Sequence, residues 1–277
     1  MWVIDNQDYL GKLDGWNRSA QFADGLFETM RIHDGKILGL PQHVARLSND
    51  LARLNIQPPA GDLSDLLSSY AHTMADMSHV ADGVMKVIIS RGDSERGYGY
   101  HDEIKPHITV FYNQAAQLPD SVYTKGVDVV LLQTQCAIQP QLAGIKHLNR
   151  LENVLAKKEL GTQAFEGLMQ NHLGLIIEGA MSNVFFEHQG QLITPKLTLS
   201  GVAGVMRQHV LAFADKLGVK IEIRDISIDE LAGFEHGFLS NSVMGIVPVK
   251  SLMQRDVKIG KLTMQLLKAW QSGVIYE

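Results

Sequence analysis

The chain has 277 residues, 45% of them hydrophobic and 20% charged, a balance that suits a folded globular chain and excludes a disordered or fibrous one. Its 25 Lys and Arg against 30 Asp and Glu give a formal charge of −5, which leaves no basic excess for a nucleic-acid partner. The single cysteine, Cys136, excludes an internal disulfide and a multi-cysteine zinc cage, and it fits a reducing, cytoplasmic setting.

At the start of the chain, Met1 to Asp8 carries no basic region followed by an apolar one, and nowhere does an apolar run approach the ~20 residues of a membrane span. No membrane partner is expected. Asn17-Arg18-Ser19 matches a glycosylation sequon, a tripeptide that arises often by chance. Gly25 to Ile32 reads as a strand that closes at the turn His33-Asp34-Gly35. Val44, Leu47, Leu51 and Leu54 follow helical spacing from Pro41, and Leu63, Leu66, Leu67, Tyr70, Met74 and Met77 repeat it after Asp62. With strands at Val84 to Ser90 and His107 to Tyr112, this half reads as α+β. A strand at Val127 to Leu132 precedes a change of rhythm at Gln139-Pro140.

Lys146 then stands just before a predicted helix that carries Leu148, Leu151 and Leu155 on one face. Beyond it, Gly167 to Met169, Leu173 to Ile177, Asn183 to Glu187 and Gln191 to Ile193 are short apolar runs divided by turn residues, the pattern of antiparallel strands in a small sheet or barrel. Helices are predicted at Val205 to Leu217 and Leu262 to Trp270.

Several chemistries lack their spacings. No two of the 11 histidines lie three or four residues apart, so no helix face offers a zincin-type metal pair, and no metal is expected. There is no phosphate-loop motif and no nucleophile elbow, and Arg96-Gly97-Tyr98-Gly99-Tyr100 does not lead from a strand into a helix. What remains is a sparse set. Lys146 is either a solvated lysine or a special one. Glu178, between two apolar strands, is either a strand-end carboxylate in water or the partner of a buried cationic ring nitrogen. Gly201-Val202-Ala203-Gly204-Val205-Met206-Arg207 is either a plain turn or a helix start whose amides of Val205 and Met206 face an anion.

Taken together and in this order, these residues resemble the fold-type IV pyridoxal-phosphate enzymes, the group that contains branched-chain and D-amino acid aminotransferases and 4-amino-4-deoxychorismate lyases. Asp24-Gly25-Leu26-Phe27-Glu28-Thr29-Met30-Arg31 is similar to the family's early strand, and His43-Val44-Ala45-Arg46-Leu47 to the helix whose arginine holds the cofactor phosphate. Glu178-Gly179-x-x-Ser182-Asn183-Val184-Phe185 and Gly204-Val205-Met206-Arg207 follow, so the resemblance spans almost the whole chain. Within the group, Gly144-Ile145-Lys146-His147-Leu148-Asn149-Arg150-Leu151-Glu152, Lys86-Val87-Ile88-Ile89-Ser90-Arg91-Gly92 and Arg96-Gly97-Tyr98 are most similar to the lyases. Glu28 departs from the smaller polar residue that lyases can carry there.

The resemblance implies a two-domain α+β / α/β fold like that of D-amino acid aminotransferase: a small α/β domain at 1–113, and a larger one at 114–277 with a strand-rich, barrel-like core that carries the cofactor lysine. It implies a homodimer, with pyridoxal 5'-phosphate bound between the domains. Lys146 would carry the cofactor and act as base, and Glu178 would face the pyridine nitrogen. Arg46, Val205, Met206, Asn241 and Ser242 would hold the phosphate, and Val202 would pack on the ring. Arg91, Arg96, Tyr98 and Thr29 would meet the substrate, while His147 would support the lysine or cap its helix. The implied reaction is elimination of pyruvate from 4-amino-4-deoxychorismate to leave 4-aminobenzoate. An aminotransferase is the alternative reading, and a non-catalytic binding module is the second.

Overall fold

The computed structural model describes residues 2–5 as backbone, and residues 16–277. Met1 and the stretch 6–15, and with them half of the segment Met1 to Asp8, lie outside the described residues. By its contacts the chain divides into two compact units, Met1–Ala116 with Lys146–Asn149, and Gln117–Ile145 with Arg150–Glu277.

The first unit runs β1 (Trp2–Asp5), α1 (Arg18–Phe22), β2 (Gly25–His33), β3 (Lys36–Ile37), α2 (Leu40–Arg53), α3 (Leu63–Ser78), β4 (Gly83–Ser90) and β5 (His107–Gln114). Its five strands pair antiparallel throughout, in the order β1-β5-β4-β2-β3. The period of two is plain in β2, where Leu26, Glu28, Met30 and Ile32 are buried while Phe27, Thr29 and Arg31 are half-buried. Helix α2 starts with Pro41 in its first turn, where a missing amide costs nothing. Its buried face holds Leu47 and Leu51, and with them His43, Arg46 and Asp50. Asp62 caps α3, its Oδ1 accepting from the amides of Ser64 at 2.8 Å and Asp65 at 3.0 Å.

The sequon asparagine is no acceptor for a glycan. Asn17 is buried, and its Oδ1 accepts from the Ser19 amide, the Ser19 hydroxyl and the Ser90 hydroxyl, so it caps α1 and ties that helix to β4.

The second unit contains α4 (Asp120–Thr124), β6 (Val127–Cys136), α5 (Leu151–Leu160), β7 (Glu166–Asn171), β8 (Ile176–Gly179), β9 (Asn183–His188), β10 (Gln191–Pro195), α6 (Val205–Lys216), β11 (Ile221–Arg224), β12 (His236–Asn241), β13 (Gly245–Leu252), β14 (Arg255–Asp256) and α7 (Lys261–Gln271). Its mixed sheet, β11-β10-β9-β12-β13-β6-β7-β8, curls into a half-barrel and is parallel at β10/β11, β13/β6 and β6/β7. Adjacent residues of β9 face opposite sides. Phe186 stacks on Phe234 at 4.4 Å in the core with Val184, Leu239 and Val247, whereas Phe185 stacks on Phe238 at 4.8 Å under α6 and α7. Each such buried ring stabilises the unit by about 1.5–3 kcal/mol.

Two expectations change. The strand predicted over Leu173 to Ile177 starts only at Ile176, because Asn171 Oδ1 accepts from the Leu173 and Leu175 amides and holds that stretch in a turn. The helix after Lys146 starts at Leu151, and its apolar face is not core: Leu151 is 71% exposed, Val154 60% and Leu155 51%. No helix among the described residues is long and apolar enough to cross a membrane.

Candidate active site

In the first unit, the segment Lys146–Asn149 extends the sheet alongside β2. The Phe27 amide donates to the Lys146 carbonyl at 3.0 Å, and the Leu148 amide donates to the Gly25 carbonyl at 3.0 Å. Between them, His147 stands opposite Leu26. The Lys146 amide donates to Asp50 Oδ2 at 3.1 Å, so both sides of this peptide segment are fixed. Gly25 makes the approach possible: a Cβ there would lie 2.6 Å from the Ile89 carbonyl oxygen and 2.9 Å from Leu148 Cδ1. Lys146 Nζ sits 4.1 Å from the centre of the Phe27 ring, and Lys86 Nζ on β4 is 4.9 Å from the same ring. Burial lowers the Lys86 pKa and raises that of Asp50, the latter against opposing hydrogen bonds from the Lys146 amide and Asn49.

Arg46 meets Glu28 through two bonds, Nε to Oε1 at 2.7 Å and Nη2 to Oε2 at 2.6 Å, and His43 Nδ1 lies 2.6 Å from the same Oε2. Burial pushes the Glu28 carboxyl up, but Arg46 and His43 outweigh it and bring its pKa to about 2. Thr29 follows on the half-buried face of β2 that also carries Phe27.

The three remaining residues expected at the substrate separate. Arg91 is internal: Nε and Nη2 donate to Asp24 at 2.8 and 3.1 Å, Nη1 donates to the Asn55 carbonyl at 2.5 Å, and Nη2 also to the Leu54 carbonyl at 2.9 Å. The expectation that it meets a substrate carboxylate is corrected, since its charge is matched inside the unit. Arg96 and Tyr98 are exposed, on a loop whose carbonyls turn inward.

In the second unit Glu178 lies on β8 next to its last residue, with 4% of its surface exposed, and its Oε2 accepts from the Val202 amide at 2.8 Å. The Val202 carbonyl accepts from Asn183 Nδ2 at 2.9 Å, and the flanking Gly201 carbonyl and Ala203 amide pair with Gly144 at 2.9 and 3.0 Å. Arg150 Nη2 donates to the Ile145 carbonyl at 3.2 Å; burial lowers its pKa while the charges of Glu178 and Glu152 oppose the shift. The turn after Glu178 is stitched by buried Glu166, which accepts from the Met181 amide at 3.1 Å and the Ser182 hydroxyl at 2.9 Å. Glu166, Asp50 and Arg150 escaped the sequence reading. Glu28 left a legible signal, standing in phase with inward Leu26, Met30 and Ile32.

Helix α6 opens at Gly204 with no side chain capping it, so the amides of its first turn, Val205 and Met206, have no partner within the helix. A side chain at Gly204 would collide with Asn183 Oδ1. Arg207 does not face an anion; it is buried, donates to the Pro195 carbonyl at 3.0 Å, and burial lowers its pKa to about 10. The Asn241 side chain is taken up by its own turn, Oδ1 accepting from the amides of Val243 and Met244 and Nδ2 donating to the Met181 carbonyl. It shapes the bend that carries half-buried Ser242.

Residues 25–252 match the family described as amino-transferase class IV. An aminodeoxychorismate lyase of Vibrio harveyi is 34% identical over 258 residues, which cover 90% of this chain and 92% of that one. A D-alanine aminotransferase of Bacillus licheniformis is 28% identical, with 94% and 91% covered. Among solved structures, a 4-amino-4-deoxychorismate lyase from Pseudomonas aeruginosa superposes with a TM-score of 0.92 at 35% identity, covering 98% of both chains. Uncapped first-turn amides suit a phosphate, and a carboxylate buried on a backbone amide suits a protonated ring nitrogen, so the residues fit pyridoxal phosphate. The chain belongs to the class IV aminotransferase family, the pyridoxal-phosphate-dependent enzymes of fold-type IV.

Proposed function

We propose that the chain is a lyase that converts 4-amino-4-deoxychorismate to 4-aminobenzoate and pyruvate. The observation that carries this is the pair of lyase relatives at 34% and 35% identity, each matched over at least 90% of this chain. The 28% relative named D-alanine aminotransferase supports transamination as the second reading.

Pyridoxal phosphate, when bound, supplies an electron sink for the pair left behind by proton removal. Lys146 would be the residue that holds the cofactor, and its Nζ would serve as the base that takes the proton from the substrate carbon bearing the amine. Glu178 holds the proton on the ring nitrogen. The amides of Val205 and Met206, with Ser242 and the Arg46 guanidinium fixed by Glu28, bind the phosphate, and Val202 packs on the ring. Asn241 contributes by shaping the turn. Arg96, Tyr98 and Thr29 bind the substrate, whose two carboxylates call for cationic and hydroxyl groups. The carbon–oxygen bond to the neighbouring enolpyruvyl group breaks with its electron pair leaving on oxygen, the pair from the carbon–hydrogen bond completes the aromatic ring, and the released enol takes up a proton at its methylene carbon to become pyruvate.

We take the domains as 1–113 and 114–277, with Lys146–Asn149 of the second stretch grouped with the first unit by its contacts, and the assembly as a homodimer in the cytoplasm. Exposed Leu151, Val154 and Leu155 on α5 support self-association, and the lone, buried Cys136 supports a reducing compartment. The test is stoichiometry. With pyridoxal phosphate and no keto acid, 4-amino-4-deoxychorismate should yield equal 4-aminobenzoate and pyruvate over many turnovers. A protein that stalls after one turnover until a keto acid is supplied is an aminotransferase, and one with neither activity is the binding module.

A further inference from the structure

We infer that Arg18 is a positioning residue for substrate recognition: it acts as an internal spool around which the loop 94–100 is wound, so that Arg96 and Tyr98 are presented outward in one arrangement. The inference rests on the lyase reading for what Arg96 and Tyr98 bind, but the winding itself is read from the first unit alone.

An arginine that is 3% exposed must have its charge and donors matched. Arg18 Nε donates to Asp24 Oδ2 at 2.7 Å. Its two terminal nitrogens turn to the loop, Nη1 donating to the Ser94 hydroxyl at 2.9 Å and to the carbonyls of Gly97 at 3.3 Å and Gly99 at 3.2 Å, and Nη2 to the Tyr98 carbonyl at 3.0 Å. Three successive carbonyls thus converge on one guanidinium. A chain can turn all three inward only through an unusual backbone, and Gly97 provides it at φ +99°. The inward carbonyls leave the Tyr98 side chain outside, 84% exposed.

The spool is itself anchored. Asn17 caps α1 from below, and Asp24 is shared between Arg18 and Arg91, which fixes both guanidinium groups. Tyr100 closes the loop with its ring 3.7 Å from Arg91 Cζ and 5.5 Å from Arg18 Cζ. A lysine at position 18 could keep the charge against Asp24, but a single ammonium cannot span Asp24, Ser94 and three carbonyls at once. The planar fork is what the winding needs.

The test uses the cofactor-loaded enzyme with Arg18→Met and Arg18→Lys. Trypsin reads the winding directly through cleavage after exposed Arg96, identified by peptide mass. In Arg18→Met that cut should accelerate about tenfold while other cuts and the bound-cofactor absorption stay as in the parent. KM for 4-amino-4-deoxychorismate should rise about tenfold, the scale of one charge-assisted hydrogen bond, with kcat little changed. Arg18→Lys should fall between, and Ser94→Ala, a milder change, should move both readouts the same way if Arg18→Met proves insoluble. Unchanged cleavage after Arg96 overturns the inference, as does faster cleavage with an unmoved KM, or kcat and KM falling together. A parent enzyme that releases no 4-aminobenzoate would overturn the lyase reading instead, and the trypsin result then decides for or against the winding by itself.

Discussion

Glu28 shows how one buried charge sets the geometry of a neighbour. Its carboxylate receives the Arg46 fork and the His43 ring in a site where all three are buried, so the arginine has one orientation and not many. Glu28→Gln keeps the shape and removes the counter-charge. It should destabilise the protein by about 3 kcal/mol in urea unfolding, because the buried Arg46 charge then loses its hydrogen-bonded carboxylate and keeps only neighbouring Asp50 as counter-charge. Its cofactor affinity should fall as the arginine loses its seat. Equal stability of variant and parent would show that the pair contributes no more than a surface ion pair does. In the sequence Glu28 alternates in phase with Leu26, Met30 and Ile32, yet nothing in the spacing joins it to residues 15 and 18 positions later. That pairing depends on how α2 lies on the sheet, which the pattern of one strand does not contain.

Helices α5 and α6 present opposite problems of partnership, one apolar and one polar. On α6 the first-turn amides have no partner within the helix, and Val205 occupies the first helical position after a Gly204 with φ −62° and ψ 141°, a backbone that tolerates a following proline. Val205→Pro should therefore preserve the far-UV spectrum while removing one amide donor. Pyridoxal phosphate binding, followed by absorbance, should weaken about tenfold; undiminished affinity would take that amide out of the phosphate site. On α5 the sequence spacing marks Leu151 and Leu155, with Leu148, as one apolar face, and the structure adds exposed Val154 to it, but spacing says only that a face is apolar, and not what covers it. If a second copy covers it, Leu151→Glu with Leu155→Glu should give a monomer by light scattering with an unchanged fold, since neither side chain is in the core. A dimeric mass for the double variant, or a monomeric parent, would remove the stripe from the interface. The same limit applies to Lys146, which the motif singled out although the residues that fix its backbone, Phe27 and Asp50, lie about a hundred positions away.

Across the whole molecule, the antiparallel turns of the second unit were readable from local turn chemistry, whereas its parallel pairings, β13 with β6 and β6 with β7, join distant segments and left no local mark. The placement of buried charge differs between the units, and this has a consequence in acid. In the first unit half-buried Asp24 and buried Glu28 are paired with arginines: burial raises both carboxyls, but the arginine contacts prevail and the net shift is downward, to about 2 for Glu28. A lowered folded pKa contributes stability that is fully present above the unfolded value of about 4 and is lost as pH falls through the folded one. Asp50, raised by burial, offsets part of this. In the second unit the deeply buried Glu166 is raised by burial, so its protonation favours the fold as pH falls, and the lowered Glu159 and Glu230 lie near the surface where solvent screens them. Acidification from about pH 4.5 towards about pH 2 should therefore open the first unit before the second. Hydrogen exchange resolved by peptide should show β2, β4 and α2 losing protection ahead of β9, β12 and β13, and Glu28→Gln should flatten the pH dependence of the first group alone. Simultaneous loss, or loss beginning in the half-barrel, would mean that the arginine-matched carboxylates do not govern acid stability.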